Sequence, residues 1–580
     1  MASGVHTGPF FHRRVTRRAG IRAGAIGVMG ASAWLVACGG DDDDGGQTSS
    51  TGGAAATQAA TAAGEPKRGG TISLRYSGTP PLDPFANTTF RAQTQAGFVY
   101  SRLLKFKTGP TPETAFNYET VPDLAQSVET VGDGTQITFK LQPNATFHNK
   151  PPVNGRAVTS EDVKFSFDRF RTEPKNSNRS AFGSEKNPIV TAMETPDPKT
   201  VVVKLAKPYA PIQNLFANPQ YLWILPTESD GGFDPAAEQI GSGPWVLKQV
   251  QPDIAVEMSR NGSWFIPDVP YTDTARAVII PEVAQEIAQF QAERLDFAAI
   301  PLENKPDVET SNPNASFVTY TPTTYTFISP QQREGSPFRD ERVRQALSVA
   351  IDRAAWGDLL YLSEGVKDLN AVPASMGKWW LDPTGKDAGP GAKWFKFDMA
   401  EAKKLSEAAG FSGQQFNFIY AGNAYGERFN QGAEAISGML NQANLKSQII
   451  VQDYLREYIA AGQTFFGNYQ GVFYGLQTPF TDAHDYLFNM LSVNSFRNHA
   501  GINDPRLDQM IQDEEATLNE AERVKKVHDI QRYVMEKMYY IPMAVGNAYI
   551  GLQPWVKDYR YSATYGVGTE NYPTVWLDRG

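Results

Sequence analysis

Beyond Lys67 the chain is predicted to fold as lobes of mixed strands and helices, of the α/β or α+β class. Three observations carry that prediction. Some stretches place apolar side chains at every second residue, the period of a half-buried strand, and others at every third or fourth, the period of a helix face. The helical stretches open on capping residues. The 580 residues are 41% apolar and 12% aromatic but hold one cysteine, so packing and not a disulfide framework must supply the core. The length suits two or three domains, and no internal repeat is evident.

The elements follow in order. "TISLRYSG" (71–78) alternates Ile72, Leu74 and Tyr76 and reads as a strand. "QITFKLQ" (136–142) alternates Ile137, Phe139 and Leu141, and "TVVVKLAKP" (200–208) reads as another. "TARAVIIP" and "LDFAAIP" predict a helix-linked strand pair over about 275–301. In "VTSEDVKFSFDRF", Thr159 and Asp162 have capping-box spacing, and Val163, Phe167 and Phe170 share one face. Asp340 can cap a helix striped by Val343, Ala346, Leu347, Ala350 and Ile351, with Arg342, Arg344 and Arg353 off the stripe. "FDMAEAKKLSEAAGF" spaces Asp398 and Glu401 three apart and stops at Gly410, a residue suited to ending a helix. "NEAERVKKVHDIQRYVMEKM" aligns Val524, Val527, Ile530, Val534 and Met538.

The N-terminus has a different character. Five arginines, Arg13, Arg14, Arg17, Arg18 and Arg22, precede the uncharged run 23–37. A membrane span needs about 20 apolar residues, so this shorter run fits the apolar part of an export signal, residues 1–37, better than an anchor helix or a loose tail. Arg17-Arg18 also resembles a twin-arginine signal, although Ala19-Gly20 replaces bulky residues. Residues 39–66 are Gly, Ala, Ser and Thr with four aspartates, too poor in apolar groups to fold, and read as a solvated tether rather than a metal site. The arginines of the signal have no acidic partners, so the net charge of −9 becomes −14 once it is removed. An acidic body argues against nucleic acid, whose phosphates need a basic face. Phosphate-loop, dinucleotide, nucleophile-elbow and zinc-protease motifs are absent, and none of the six histidines has metal-ligand spacing. The expectation is a protein that is not an enzyme and holds no cofactor and no metal.

Two resemblances sharpen this. "LVAC", ending at Cys38, resembles the lipobox of bacterial lipoproteins, which implies cleavage before Cys38 and its acylation. Two or more acyl chains make a stable anchor where one is marginal. "SPFRDERVRQALSVAIDRAAW" (336–356) resembles a string found in family 5 of the extracellular solute-binding proteins, the oligopeptide-, dipeptide- and nickel-binding proteins of ABC importers. "FVYSRLLKF", "TFKLQPNATFHNKPPVNGRAVTSEDVKFSFDR", "IGSGPWVLKQVQPDIAVEMSRNGSWF", "FDMAEAKKLSEAAGF", "INDPRLDQMI" and "YIPM" are similar to family segments in the family's order, from about 69 to 542. Asn149-Lys150 departs from the family's Asp-Gly turn.

The resemblance implies an α/β, two-lobed periplasmic-binding-protein fold of the large (cluster C) type, with an extra domain inserted in lobe I. Lobe I would comprise 67–105, 225–325 and 545–580, the inserted domain 106–224, and lobe II 326–544, after the lipidated Cys38 and tether, 38–66. It implies an exported, lipid-anchored monomer at the cell surface or in the periplasm. Such a protein closes on a peptide or other small organic solute and delivers it to a membrane permease. A sensor for a signalling receptor and an oligosaccharide binder share that fold, and a surface hydrolase is a third class. In the peptide binders an aspartate of lobe II pairs with the ligand's amine, and an arginine lies just before the neighbouring glycine; with that glycine set on Gly475, Pro479 and Phe473 take their places. The candidate ligand-binding residues are therefore Tyr474, Gln477, Thr478, Phe480 and Asp482, with Tyr76, Tyr325 and Phe327 at lobe edges; Asp485 is close enough for a shifted loop to use.

Overall fold

The computed structural model describes residues 64–580 other than 113, 114, 116, 117, 185, 186, 324, 478, 496, 565–568 and 580. The export signal, Cys38, most of the tether and Thr478 lie outside the described residues. Strand Thr71–Tyr76 buries Ile72, Leu74 and Tyr76, as its alternation predicts. It runs parallel to Thr274–Ile279 in a four-stranded sheet whose other members, Ala255–Arg260 and Trp245–Gln251, are antiparallel. A second four-stranded sheet lies wholly between 125 and 205 and is antiparallel throughout, in the order Ala125–Val131, Gln136–Leu141, Thr200–Leu205, Val190–Asp197.

A five-stranded sheet is built from later residues, in the order Lys446–Gln452, Gln415–Ala421, Val472–Gln477, Tyr325–Pro330, Ile541–Pro542. Helices Glu341–Val349 and Glu427–Gln442 cover one of its faces through Leu347, Phe418, Ile436 and Tyr474. The chain then returns. Strand Ala548–Leu552 pairs with both Phe297–Ile300 and Ser316–Tyr320, which precede the five-stranded sheet in sequence. Two connections therefore join the early and late sheets, one after Tyr320 and one before Ala548.

The helix starts follow their capping chemistry. The Asp162 carboxylate accepts the Thr159 N–H at 2.9 Å. Asp340, Asp398 and Asn519 accept from Arg342, Glu401 and Glu522 N–H groups at 2.9, 2.9 and 3.0 Å. Gly410 takes a φ of 66°, the left-handed turn that ends helix Met399–Ala408. One expectation needs correcting. The strands Thr274–Ile279 and Phe297–Ile300 are linked by helix Val283–Gln291, but they enter different sheets, because Phe297–Ile300 finds its partner in the returning strand Ala548–Leu552.

The arginines off the Val343 stripe have separate duties. Arg342 is exposed and pairs with Asp340. Arg344 is buried and donates to the carbonyls of Phe338, Arg339, Lys537 and Met538 at 2.7–3.1 Å. Arg353, also buried, donates to the Pro542 carbonyl and the Ser348 hydroxyl. A buried guanidinium is tolerable when its N–H groups meet acceptors. These two therefore fasten the 341–349 helix region to the chain that leaves helix Glu520–Lys537. Among the described residues no helix is long and apolar enough to cross a membrane.

Candidate functional site

Strand Val472–Gln477 divides the candidate residues between its faces. Tyr474 points to the helix-covered face, stacked on Phe429 at 4.3 Å between ring centres. Phe473 points the other way, into a buried aromatic group with Phe327, Tyr458 and His499. Tyr325 packs against Phe327 and Tyr486, each at 5.9 Å. Tyr76 is buried in the first sheet, its hydroxyl donating to Gln95 Oε1 at 3.1 Å. Tyr76, Tyr325, Phe327 and Tyr474 are thus core side chains in this structure; Tyr325 and Phe327 pack together, and Tyr474 lies in a separate core cluster from them.

Gln477, Phe480 and Asp482 do lie together, where the strand runs out into helix Ala483–Leu491. Gln477 Oε1 accepts from Arg497 Nη1 at 3.4 Å. The Arg497 guanidinium stands over the Phe480 ring, 5.7 Å from its centre. The Phe480 N–H donates to the Tyr486 hydroxyl, which donates to the Thr323 carbonyl. This exit borders a cavity of about 810 Å³. One wall comes from residues 177–221, around the second four-stranded sheet; the other comes from Pro479, Phe480, the 483–491 helix, the loop after it and helix Pro505–Glu515. The volume is within the usual range for a small-molecule site, about 300–1,000 Å³. The lining is dense in neutral hydroxyls and amides, including Ser177, Asn178, Gln220, Asn489 and Gln512, with Tyr209, Tyr221, Phe480 and Phe488 as aromatic surfaces.

Beneath this cavity lies a buried charge network. Asp482, 2% exposed, caps the 483–491 helix by accepting the His484 N–H at 2.8 Å. It also ion-pairs with Arg523 and accepts from Asn214 Nδ2 at 2.7 Å. Arg523 reaches Glu514 as well, at 2.6 Å. His484 sits between Glu514 (2.8 Å) and Glu515 (3.3 Å). Burial works against charge on His484, but the Glu514 and Glu515 carboxylates outweigh it and hold the imidazole above its ordinary value. Burial likewise opposes ionisation of Glu514, and Arg523 and His484 overcome it. Residues 207–218 fasten onto the same group through Lys207 to Glu515, Tyr209 edge-on to His484 at 5.6 Å, and Asn218 to Thr481 at 3.0 Å.

Asp485 is the exception. It borders the cavity, and its carboxylate has no hydrogen-bond or ion-pair partner among the described residues. Burial, and next the Asp482 carboxylate, push its carboxyl up to about 7. In the sequence Asp485 stands out only as an acid close enough to the Gly475 stretch for a shifted loop to use. Arg497 and Arg523 gave no such signal, since the partners that define them come from distant parts of the chain.

This architecture matches solved structures. A protein described as HbpA2 from Haemophilus parasuis superposes with a TM-score of 0.74 at 20% identity, over 88% of this chain and 100% of its own. The periplasmic binding protein DppA from Helicobacter pylori, in complex with peptide STSA, gives 0.69 at 19%, over 88% and 99%. These likenesses show the fold, an α/β periplasmic-binding-protein architecture. In sequence, di/tripeptide-binding protein 1 of Pseudomonas aeruginosa is 23% identical over 84% of this chain and 90% of its own length. The dipeptide-binding protein of Escherichia coli is 24% identical over 82% and 88%. The middle-region sequence model of the bacterial extracellular solute-binding proteins, family 5, matches residues 119–498, and the chain belongs to that family.

Proposed function

We propose that this chain is the capturing component of an ABC-type importer, taking a peptide-like solute and passing it to a membrane permease. The observation that carries the reading is the cavity of about 810 Å³, walled by two separate parts of the chain, residues 177–221 and 479–515. A solute there touches both walls, and binding favours their approach only by the contacts it gains in the closed form. The neutral amides and hydroxyls of the lining suit a peptide backbone, and the aromatic surfaces suit its side chains. The relatives named for di- and tripeptides point the same way.

In this reading Gln477 and Phe480 meet the ligand, with Thr478 between them in sequence. Asp482 acts one step back, holding Arg523 and the helix start. Residues 67–105, 225–325 and 545–580 form lobe I, 106–224 the inserted domain and 326–544 lobe II. The return of Ala548–Leu552 to the early sheet supports this division. Cys38 is the lipid-bearing first residue of the exported protein, and 39–66 tether a monomeric body beside its permease.

A thermal-unfolding screen tests the capture. Di- to tetrapeptides, oligosaccharides and metal chelates are each added to the purified full chain. Peptides are expected to raise the melting temperature, by an amount that grows with the logarithm of their concentration. A melting point moved by oligosaccharides alone, or by nothing, overturns the peptide reading.

A further inference from the structure

A second cavity, of about 730 Å³, opens between the start of helix Glu341–Val349, the end of helix Glu520–Lys537 and residues 501–504. It shares no lining residue with the cavity of about 810 Å³. Its charged lining is four cations, Arg333, Arg339, Arg344 and Lys537, against three carboxylates, Glu334, Glu341 and Asp504. The carboxylates do not serve the arginines. Glu341 takes Lys537 at 3.0 Å. Asp504 is satisfied by neutral donors: the hydroxyls of Tyr533 and Tyr539 at 2.7 and 2.5 Å, and the N–H groups of Arg506 and Leu507 at 2.9 and 3.3 Å. Glu334 is exposed and has no partner among the described residues. Beside the cavity, Asp340 is paired with Arg342, and the Arg506 guanidinium lies over the Tyr533 ring, 4.8 Å from its centre.

The three arginines are therefore left with no carboxylate of their own. Arg333 donates to the Gly467 carbonyl. Arg339 is exposed, and its guanidinium has no hydrogen bond or ion pair among the described residues. Arg344 is buried and spends its N–H groups on carbonyls, and one N–H of its Nη2 is left without an acceptor. Burial draws the Arg344 guanidinium down to about 10, so it stays charged at neutral pH in a place that disfavours charge. Planar guanidinium forks match the paired oxygens of a phosphate or a carboxylate. We propose that this cavity binds a free small solute carrying several oxyanion charges, with Arg333 and Arg339 pairing to its oxygens at the mouth and Arg344 drawing it in from the buried side. A recessed cavity of this volume suits a compact solute better than a flat membrane face. The site is independent of the capture reading, and peptide binding in the larger cavity neither requires nor excludes it.

Thermal unfolding and calorimetry of the full chain at pH 7.5, with pyrophosphate, with citrate and with sodium chloride at matched ionic strength, test the site. Pyrophosphate or citrate should raise the melting temperature with the logarithm of its concentration, and chloride should not. Arg339→Gln removes a guanidinium that holds nothing else, so the ligand-free melting temperature should stay where it is. Its affinity for the anion should fall about tenfold, the worth of one charge-assisted contact. Arg333→Gln should weaken binding as well, and Glu334→Gln, which removes the unpartnered carboxylate, should tighten it. A shift that chloride reproduces, affinity unchanged in Arg339→Gln, weaker binding in Glu334→Gln, or no binding of either anion overturns the proposal. Vesicles of phosphatidylglycerol separate a free solute from a lipid headgroup of the same chemistry. Parent and Arg339→Gln should pellet with them equally; pelleting that falls in the variant assigns the arginines to the membrane and overturns the free solute.

Discussion

Arg523 compensates two carboxylates that are almost wholly buried, and its guanidinium lies 4.8 Å from the centre of the Trp379 ring. Removing the guanidinium leaves Asp482 and Glu514 without their partner in a place where water cannot replace it. Breaking a buried pair from one side costs roughly 3–5 kcal/mol. Arg523→Leu is therefore expected to lower the denaturant midpoint at pH 8 by an amount corresponding to that loss, and a midpoint within error of the parent would refute the account of this network. At the other end of the chain, Cys38 carries a different prediction. Cys38→Ser should abolish incorporation of a labelled fatty acid and leave the protein uncut or released from the membrane fraction. A variant that is still processed and still sediments with membranes would show that some other feature anchors it.

Glycine positions separate space from flexibility among the elements. A Cβ on Gly241 would lie 2.0 Å from the Val99 carbonyl oxygen and 2.7 Å from its carbon, both backbone atoms that cannot turn aside. Gly243, in the same "GSGPW" string, meets Val99 at 2.7 Å and donates its N–H to that carbonyl. The string thus lets two backbone segments touch. Gly438 is the opposite case, exposed in the interior of helix Glu427–Gln442 with open space where a Cβ would go. Gly241→Ala is expected to destabilise by roughly 1–3 kcal/mol or more, and Gly438→Ala to stabilise by about 0.5–1 kcal/mol. Urea unfolding of both variants beside the parent decides; shifts of the same sign would contradict the geometry. The same contrast explains what the sequence disclosed. Strand 71–76 and the caps at Thr159, Asp340 and Asp398 are legible because their determinants lie within a few residues. The separate sheets of Thr274–Ile279 and Phe297–Ile300 are not, because a strand some 250 residues later decides them. Tyr474 reads as a ligand-facing aromatic until its partner Phe429 places it in the core. Asp485 and Arg497 become a site only when residues 177–221 fold against them.

At the scale of the whole molecule, buried titratable groups make stability vary with pH, and four of those among the described residues show that their signs differ. His148 and His499 are held down to about 4 and about 3, in each case by burial first. A histidine with a depressed folded value stays neutral while the unfolded chain takes up a proton, so its contribution is intact above pH 6.5 and is lost as pH falls below it. Asp485, raised to about 7, acts in reverse. The folded form holds a proton that the unfolded chain has released, so its contribution is complete near pH 4 and is lost as pH rises through 7. His484, raised by Glu514 and Glu515 against burial, loses its contribution in the same upward direction, above its ordinary 6.5. The two depressed histidines thus lose their contributions as pH falls, and Asp485 and His484 lose theirs as it rises. His499 tests the acid limb. It lies among Phe327, Phe465 and Phe473, and a phenylalanine there keeps the ring contacts but takes up no proton in the unfolded chain. His499→Phe forfeits the hydrogen bond between Nδ1 and the Phe465 carbonyl and so starts less stable at pH 7.5. Between pH 7 and 5 its unfolding free energy should nevertheless fall less steeply than the parent's. An equal or steeper fall would remove His499 from the acid limb.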